Sequence, residues 1–147
     1  MNQVELRQMA DERILDAAAL INEGRWAFAY YVAGYAVECA LKSCVLARMI
    51  HTAVVFDEEF KNKTIREIFF RHNFVELVRL AGLMGELNSH IQSSGVAGSA
   101  FVGYWATVKD WKETSRYEAN IETEARSLFE AVENQPDGVL QWIWNYW

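Results

Sequence analysis

The chain is short of residues that interrupt helices. Pro136 is its one proline, and eight glycines are thinly spread over 147 residues. Long stretches without breakers exclude a many-turned β fold and favour helix. Cysteine is also scarce: Cys39 and Cys44 stand five apart, about 140° round a helix, which is neither a CxxC redox pattern nor a zinc pattern. Both are expected as buried free thiols, and reduced thiols fit a cytoplasmic protein. No stretch supplies the roughly 20 apolar residues of a membrane span; Trp26 to Val37 gives twelve before Glu38 intervenes. The opening MNQVELRQMADER carries mixed charge and no apolar core, so no signal peptide is expected. Repeats and low-complexity tracts are missing, as are H-E-x-x-H, a glycine-rich phosphate loop and a nucleophile elbow. His51 and His90 have no acid or cysteine at metal-ligand spacing and read as surface histidines, so neither metal nor cofactor is expected.

Positive charge is in deficit, with 14 Lys and Arg against 20 Asp and Glu for a net −6. Such a balance disfavours indiscriminate nucleic-acid binding but leaves room for a local phosphate site. A hydrophobic content of 52% excludes disorder, and 23% charged residues excludes an integral membrane protein.

What remains is a helical pattern over one domain, residues 1–147. Leu6, Met9, Ala10, Ile14, Ala17, Ala18 and Ile21 recur at three- and four-residue steps and predict a first helix over 3–22. Gly24 ends it, and a second helix is expected from about 25 to 50. There Ala29, Ala33, Ala36 and Ala40 form a small-residue stripe open to a close neighbour, with bulky residues on the other faces. A helix apolar nearly all round belongs at the centre of a bundle. Residues 51–63 read as a loop and 64–71 as a brief helix. Asn73 and Glu76 have the N-x-x-E form of a helix start, with Phe74, Leu77, Leu80, Ala81, Met84 and Leu87 marking a third long helix. SSGVAGS, 93–99, reads as a loop, and a fourth helix spans about 100–112. After the turn ETSRYEANIET, a last helix starts near Asn120 or Thr123 and breaks at Pro136-Asp137-Gly138. The expected fold is all-α, an up-and-down antiparallel bundle of four to five helices, with its core at about 5–135 and an aromatic C-terminal segment, 136–147.

Glu38 is the one charge in WAFAYYVAGYAVECAL. A buried carboxylate without a partner costs several kcal/mol, so a cation is expected beside it. Lys42 lies at i+4, but an exposed pair of that kind contributes only about 0.3–0.5 kcal/mol. Arg116 is the expected neutralising partner.

The wording around this glutamate, ALINEGRWAFAYYVAGYAVECALKS, resembles the HEPN domain (higher eukaryotes and prokaryotes nucleotide-binding), whose second helix commonly reads A-x-x-A-E-x-A-L-K. HNFVEL at 72–77 is similar to that family's H-D-L-x-x-L helix opening, with Asn73-Phe74 where Asp-Leu is usual. SRYEANIETEA at 115–125 is similar to its A-R-Y-P turn and T-x-x-E-A, with Glu118 in place of proline. The resemblance spans about residues 5 to 135. It implies a helical bundle, often dimeric, that associates with nucleotides or RNA, frequently beside a minimal nucleotidyltransferase in a toxin–antitoxin or defence pair. Many members are metal-independent ribonucleases with an R-x(4–6)-H motif; others lack it and serve as binding or scaffolding partners.

Arg66 and His72 fit that spacing and are the candidate catalytic pair. The histidine suits acid–base work on a ribose hydroxyl, and the arginine suits bidentate hold on phosphate. The position is early for the motif, and His72 also reads as a helix-entry residue. Lys61, Lys63, Arg66 and Arg71, with Phe60, Phe69 and Phe70 interleaved, form a basic and aromatic patch of a kind suited to single-stranded RNA, but they read first as a solvated connector whose phenylalanines pack inward. Arg116 and Tyr117, with Lys63 and Arg71, are the candidate nucleotide- or RNA-binding residues; Arg116 alternatively serves only Glu38. The closing WIWNYW either covers the chain's own core or meets a second subunit; a homodimer is expected.

Overall fold

The computed structural model describes residues 2–51, 66–67 and 70–147, apart from the side chains of Ile50 and His51. The first helix begins on a reciprocal cap: Asn2 Oδ1 accepts the Glu5 N–H at 2.9 Å, and the Glu5 carboxylate accepts the Asn2 N–H at 2.7 Å. This helix, α1, spans Gln3–Asn22 and buries Leu6, Ala10, Ala17 and Ile21. Gly24 then adopts φ +69°, a conformation costly for a residue with a Cβ. The turn lays α2, Trp26–His51, along α1.

Helix α2 is the post against which the others stand. It touches α1, the Phe74–Leu80 helix (α3), the Glu122–Glu133 helix (α6), the Val139–Ile143 helix (α7) and a 3₁₀ turn at Glu113–Tyr117. Its four-alanine stripe is wholly buried, and Ala29 meets Ile21 of α1 and Ala125 of α6. Helices α4, Met84–Ala97, and α5, Phe101–Val108, complete the chain order. The described residues contain no strand, and none of their helices is long and apolar enough to cross a membrane. Phe74, Leu77 and Val78 carry α3 into the core, each contributing about 1.5–3 kcal/mol by leaving water.

The all-helical expectation holds, and α1 and α2 fall within a residue of their predicted bounds. Four details differ. The described residues hold seven α-helices where four to five were expected, several of them short. The long helix expected from Asn73 is two helices, because Gly82 takes φ +74° between them. Arg48 Nη1 donates to the carbonyls of Arg79 and Leu80 at 3.4 and 3.0 Å, closing the end of α3. Ser93 to Ala97, read as loop, continue α4; Gly98, φ +73°, ends it. Ser93 Oγ bonds back to the His90 carbonyl, so this serine is accommodated within the helix rather than breaking it. The Asn73 cap is half of the expected reciprocal one: its Oδ1 accepts the Glu76 N–H at 3.0 Å, while the Glu76 carboxylate pairs with Arg71.

The aromatic tail docks on its own chain. Trp142 is 3% exposed, with its ring 5.9 Å from Phe101, 5.3 Å from Tyr146 and 6.4 Å from His90. His90, read as a surface histidine, is a half-buried member of this cluster, edge-on to Phe101 at 4.3 Å. Trp144 stacks on Trp147 at 6.1 Å, and Arg7 lies 5.7 Å over the Trp147 ring. The tail therefore lends no support to a second subunit there. Residues 52–63 of the expected loop and half of the expected helix 64–71 lie outside the described residues; the backbone of His51 ends α2.

Candidate functional site

One face of α2 carries Phe28, Tyr31, Tyr35, Glu38 and Lys42, at steps of three and four. Helical periodicity stacks such residues in a line, and the rings follow it: Phe28 to Tyr31 is 5.8 Å and Tyr31 to Tyr35 is 6.1 Å between centroids. At the inner end of the line Glu38 is 3% exposed and Lys42 is 5% exposed. Lys42 Nζ meets Glu38 Oε1 at 2.7 Å.

Two further segments close on this carboxylate. His72, just ahead of α3, places Nδ1 3.0 Å from Glu38 Oε1, and its Nε2 faces Glu113 Oε2 of the 3₁₀ turn at 2.5 Å. A neutral imidazole donates through one nitrogen only; the imidazolium donates through both. His72 thus fastens α2, the entry to α3 and the 3₁₀ turn to one another. The cluster opens into a cavity of about 260 Å³ whose walls include Tyr31, Tyr35, Cys39 and Arg116.

The expected pairing of Glu38 with Arg116 is corrected by this geometry. Glu38 is buried and paired with a cation as anticipated, but the cation is Lys42, and His72 Nδ1 lies against the same oxygen. Arg116 is exposed on the 3₁₀ turn, 4.9 Å over the Tyr117 ring, with Tyr117 and Tyr31 beside it raising its ionisation. The reason is economy of distance: a lysine one turn along the same helix reaches the carboxylate without crossing the cavity. The i, i+4 pair dismissed as a surface contact is the buried one.

The remaining candidates are dispersed. Arg66 is exposed, and among the described residues no bond joins it to His72. Arg71 is exposed and paired with Glu76 at 3.0 Å. Tyr117 is 78% exposed, available to a ligand or partner. Lys63, with Lys61, Phe60 and Phe69, lies outside the described residues. Of the described candidates only His72, Glu38 and Arg116 meet at one cavity. Tyr31, Tyr35 and Glu113 were passed over, although the 31, 35, 38, 42 spacing already puts both tyrosines on the face of the lone acid. Glu113 carried no such sign. Among the described residues, no three His, Cys, Asp or Glu side chains are grouped to hold a metal ion.

Burial shapes titration along α2, at Tyr35 and Cys39 in this wall and at Cys44 outside it. It pushes the Cys39 thiol up to about 12, aided by Glu38, and the Cys44 thiol up to about 12. Burial and then Cys39 push the Tyr35 phenol up to about 12. On unfolding, the thiols ionise near pH 9 and the phenol near pH 10. Between about pH 9 and 12 the native chain therefore binds more protons than the unfolded one, and stability falls as pH rises through that window. The urea midpoint is expected to drop between about pH 8 and pH 10.5, and less steeply in Cys39→Ala/Cys44→Ala. An unchanged slope in that variant would contradict it.

No family model matches this chain, and no curated protein or solved structure matches it either.

Proposed function

We propose that the chain is a HEPN-like, up-and-down helical bundle that binds a nucleotide or a segment of single-stranded RNA at the His72 cavity. On this reading it works in the cytoplasm beside a minimal nucleotidyltransferase in a toxin–antitoxin or defence pair. The supporting observation is the gathering of an exposed guanidinium, Arg116, with half-buried Tyr31 and Tyr35 and with His72 around a cavity of about 260 Å³. A guanidinium recognises phosphate, and a phenol ring offers a face to a base. The order of HEPN-like motifs along the chain is the second support.

Titration with ATP and with a short single-stranded RNA tests this. Saturable binding of at least one is expected, weakening about tenfold in Arg116→Ala, since one charge-assisted bond is worth about 1.5–3 kcal/mol. Affinity should also fall as salt rises. Neither ligand binding at millimolar concentration would defeat the proposal.

A ribonuclease reading draws on one specific feature, a histidine oriented at Nδ1 by a buried carboxylate, an arrangement that suits acid–base transfer at Nε2. It requires Glu113 to yield Nε2 to the substrate. Cleavage of RNA that persists in EDTA and disappears in His72→Gln would establish it; no cleavage would leave binding or scaffolding as the activity.

A further inference from the structure

A separate cavity of about 350 Å³ lies where α1, α2, the α3–α4 link and the C-terminal segment meet. It shares no lining residue with the His72 cavity. Its volume falls within the range of small-molecule sites, roughly 300–1,000 Å³. Ala47, Ala81 and Leu83 give it an apolar wall, to which Tyr146 and Trp147 add their rings.

Charge sets this cavity apart. Arg7 and Arg48 both line it and no Asp or Glu does, in a chain whose net charge is −6. The His72 cavity, by contrast, holds Glu38 and Glu113.

The guanidinium groups are also held in place. Arg7 is half-buried, its Nε donating to Oγ of the buried Ser43 at 3.3 Å and its Cζ lying 5.7 Å over the Trp147 ring. Its two terminal nitrogens have no hydrogen-bond acceptor and no ion partner among the described residues. Arg48 is anchored on the Arg79 and Leu80 carbonyls. An arginine restrained by a hydroxyl and an indole, without a carboxylate, is preorganised to receive an oxyanion. Partial burial strengthens that pairing, because water screens it less.

A bare inorganic anion would meet the cations and leave the apolar wall in water. A hydrocarbon would cover the wall and leave the cations unmet. A nucleic-acid strand needs a long basic groove and does not fit a cavity of this size. We infer that the cavity binds a small organic oxyanion, its carboxylate or phosphate monoester head held by Arg7 and Arg48 and its compact apolar body set against Ala47, Ala81 and Leu83. This goes beyond the ligand proposed for the His72 cavity, and either can fail alone.

Isothermal titration calorimetry of the whole chain with benzoate and phenyl phosphate provides the test. At least one should bind saturably with a dissociation constant below about 1 mM. It should bind about tenfold more tightly than inorganic phosphate, which lacks the body, or benzyl alcohol, which lacks the charge. Arg7→Gln should weaken binding about tenfold, as loss of a charge-assisted bond does. Ala47→Leu, which adds bulk to the wall and leaves both cations in place, should weaken it as much with helical circular dichroism intact. That variant decides the matter if Arg7→Gln disturbs the tail. Failure of both probes to bind at about 10 mM, or binding that survives both substitutions, would overturn the inference. So would inorganic phosphate binding as tightly as phenyl phosphate. Probe binding lost in Arg116→Ala would also overturn it, by placing the probes in the His72 cavity.

Discussion

Glu38→Ala is expected to cost about 3–5 kcal/mol of stability, the usual consequence of removing one partner from a buried ion pair. The carboxylate receives both Lys42 Nζ and His72 Nδ1 on one oxygen. Its loss takes one carboxylate away from the almost fully buried lysine and frees one of the two ring nitrogens that tie α3 and the 3₁₀ turn to α2. For a chain of this size each kcal/mol shifts the melting temperature by roughly 2–4 °C, so a thermal scan resolves the effect easily. Two controls separate the observed pairing from the one the sequence suggested. Glu38→Leu with Lys42→Met should recover most of the loss, because a packed apolar pair is often as stable as a buried ionic one. Arg116→Ala should stay within about 0.5 kcal/mol of wild type, as exposed substitutions do. If Arg116→Ala matched Glu38→Ala, the assignment of partners would be wrong.

The second large effect is expected at Gly34, where the reason is steric. A Cβ placed on Gly34 would lie 2.2 Å from Trp111 Nε1 and 2.3 Å from Trp111 Cδ1. Trp111 cannot swing aside, being 2% exposed and stacked on Phe74 at 5.2 Å and on Tyr31 at 6.0 Å. Gly34→Ala must shift the indole or α2 itself. Overpacking usually costs 1–3 kcal/mol, and with the buried indole stacked on two other rings the expected loss is about 3 kcal/mol, despite alanine's better helix propensity. Urea denaturation should show the lower midpoint, and Trp111→Leu in the same chain should absorb part of the penalty, since contacting sites couple. A Gly34→Ala variant as stable as wild type would mean that the indole does not lie across α2 here.

Both predictions bear on the candidate site. Trp111 precedes the 3₁₀ turn that bears Glu113 and Arg116, and its stacking on Tyr31 sets that turn against α2. Displacing the indole would move Arg116 relative to the tyrosines. Gly34→Ala, though remote from any ligand, should therefore weaken nucleotide binding if the His72 cavity is the binding site.

Much of this fold could be read along the chain because its causes are local. Helix starts at Asn2 and Asn73, the break at Gly24 and the apolar periodicity of α1 and α2 depend on residues within a turn or two of one another. The same rules failed at Ser93–Ala97, where loop-like composition was overruled by the helix already running through it. They failed at Gly82, whose role shows only once Arg48, 34 residues earlier, is seen bonding the carbonyls beside it.

The sequence by itself determined that this chain is helical, that α2 lies at its centre, and that Glu38 must have a cation. Those conclusions follow from backbone hydrogen bonding, periodicity and the cost of an unpaired buried charge, all properties of short segments. The tertiary structure decided which cation it has, brought Glu113 to His72, laid Tyr31 and Tyr35 beside Arg116, and folded the tryptophan-rich tail onto its own core. His72 and Glu38 are separated by 34 positions, and no periodicity acts over that span. Only the packing of α3 and the 3₁₀ turn against α2 brings such groups together.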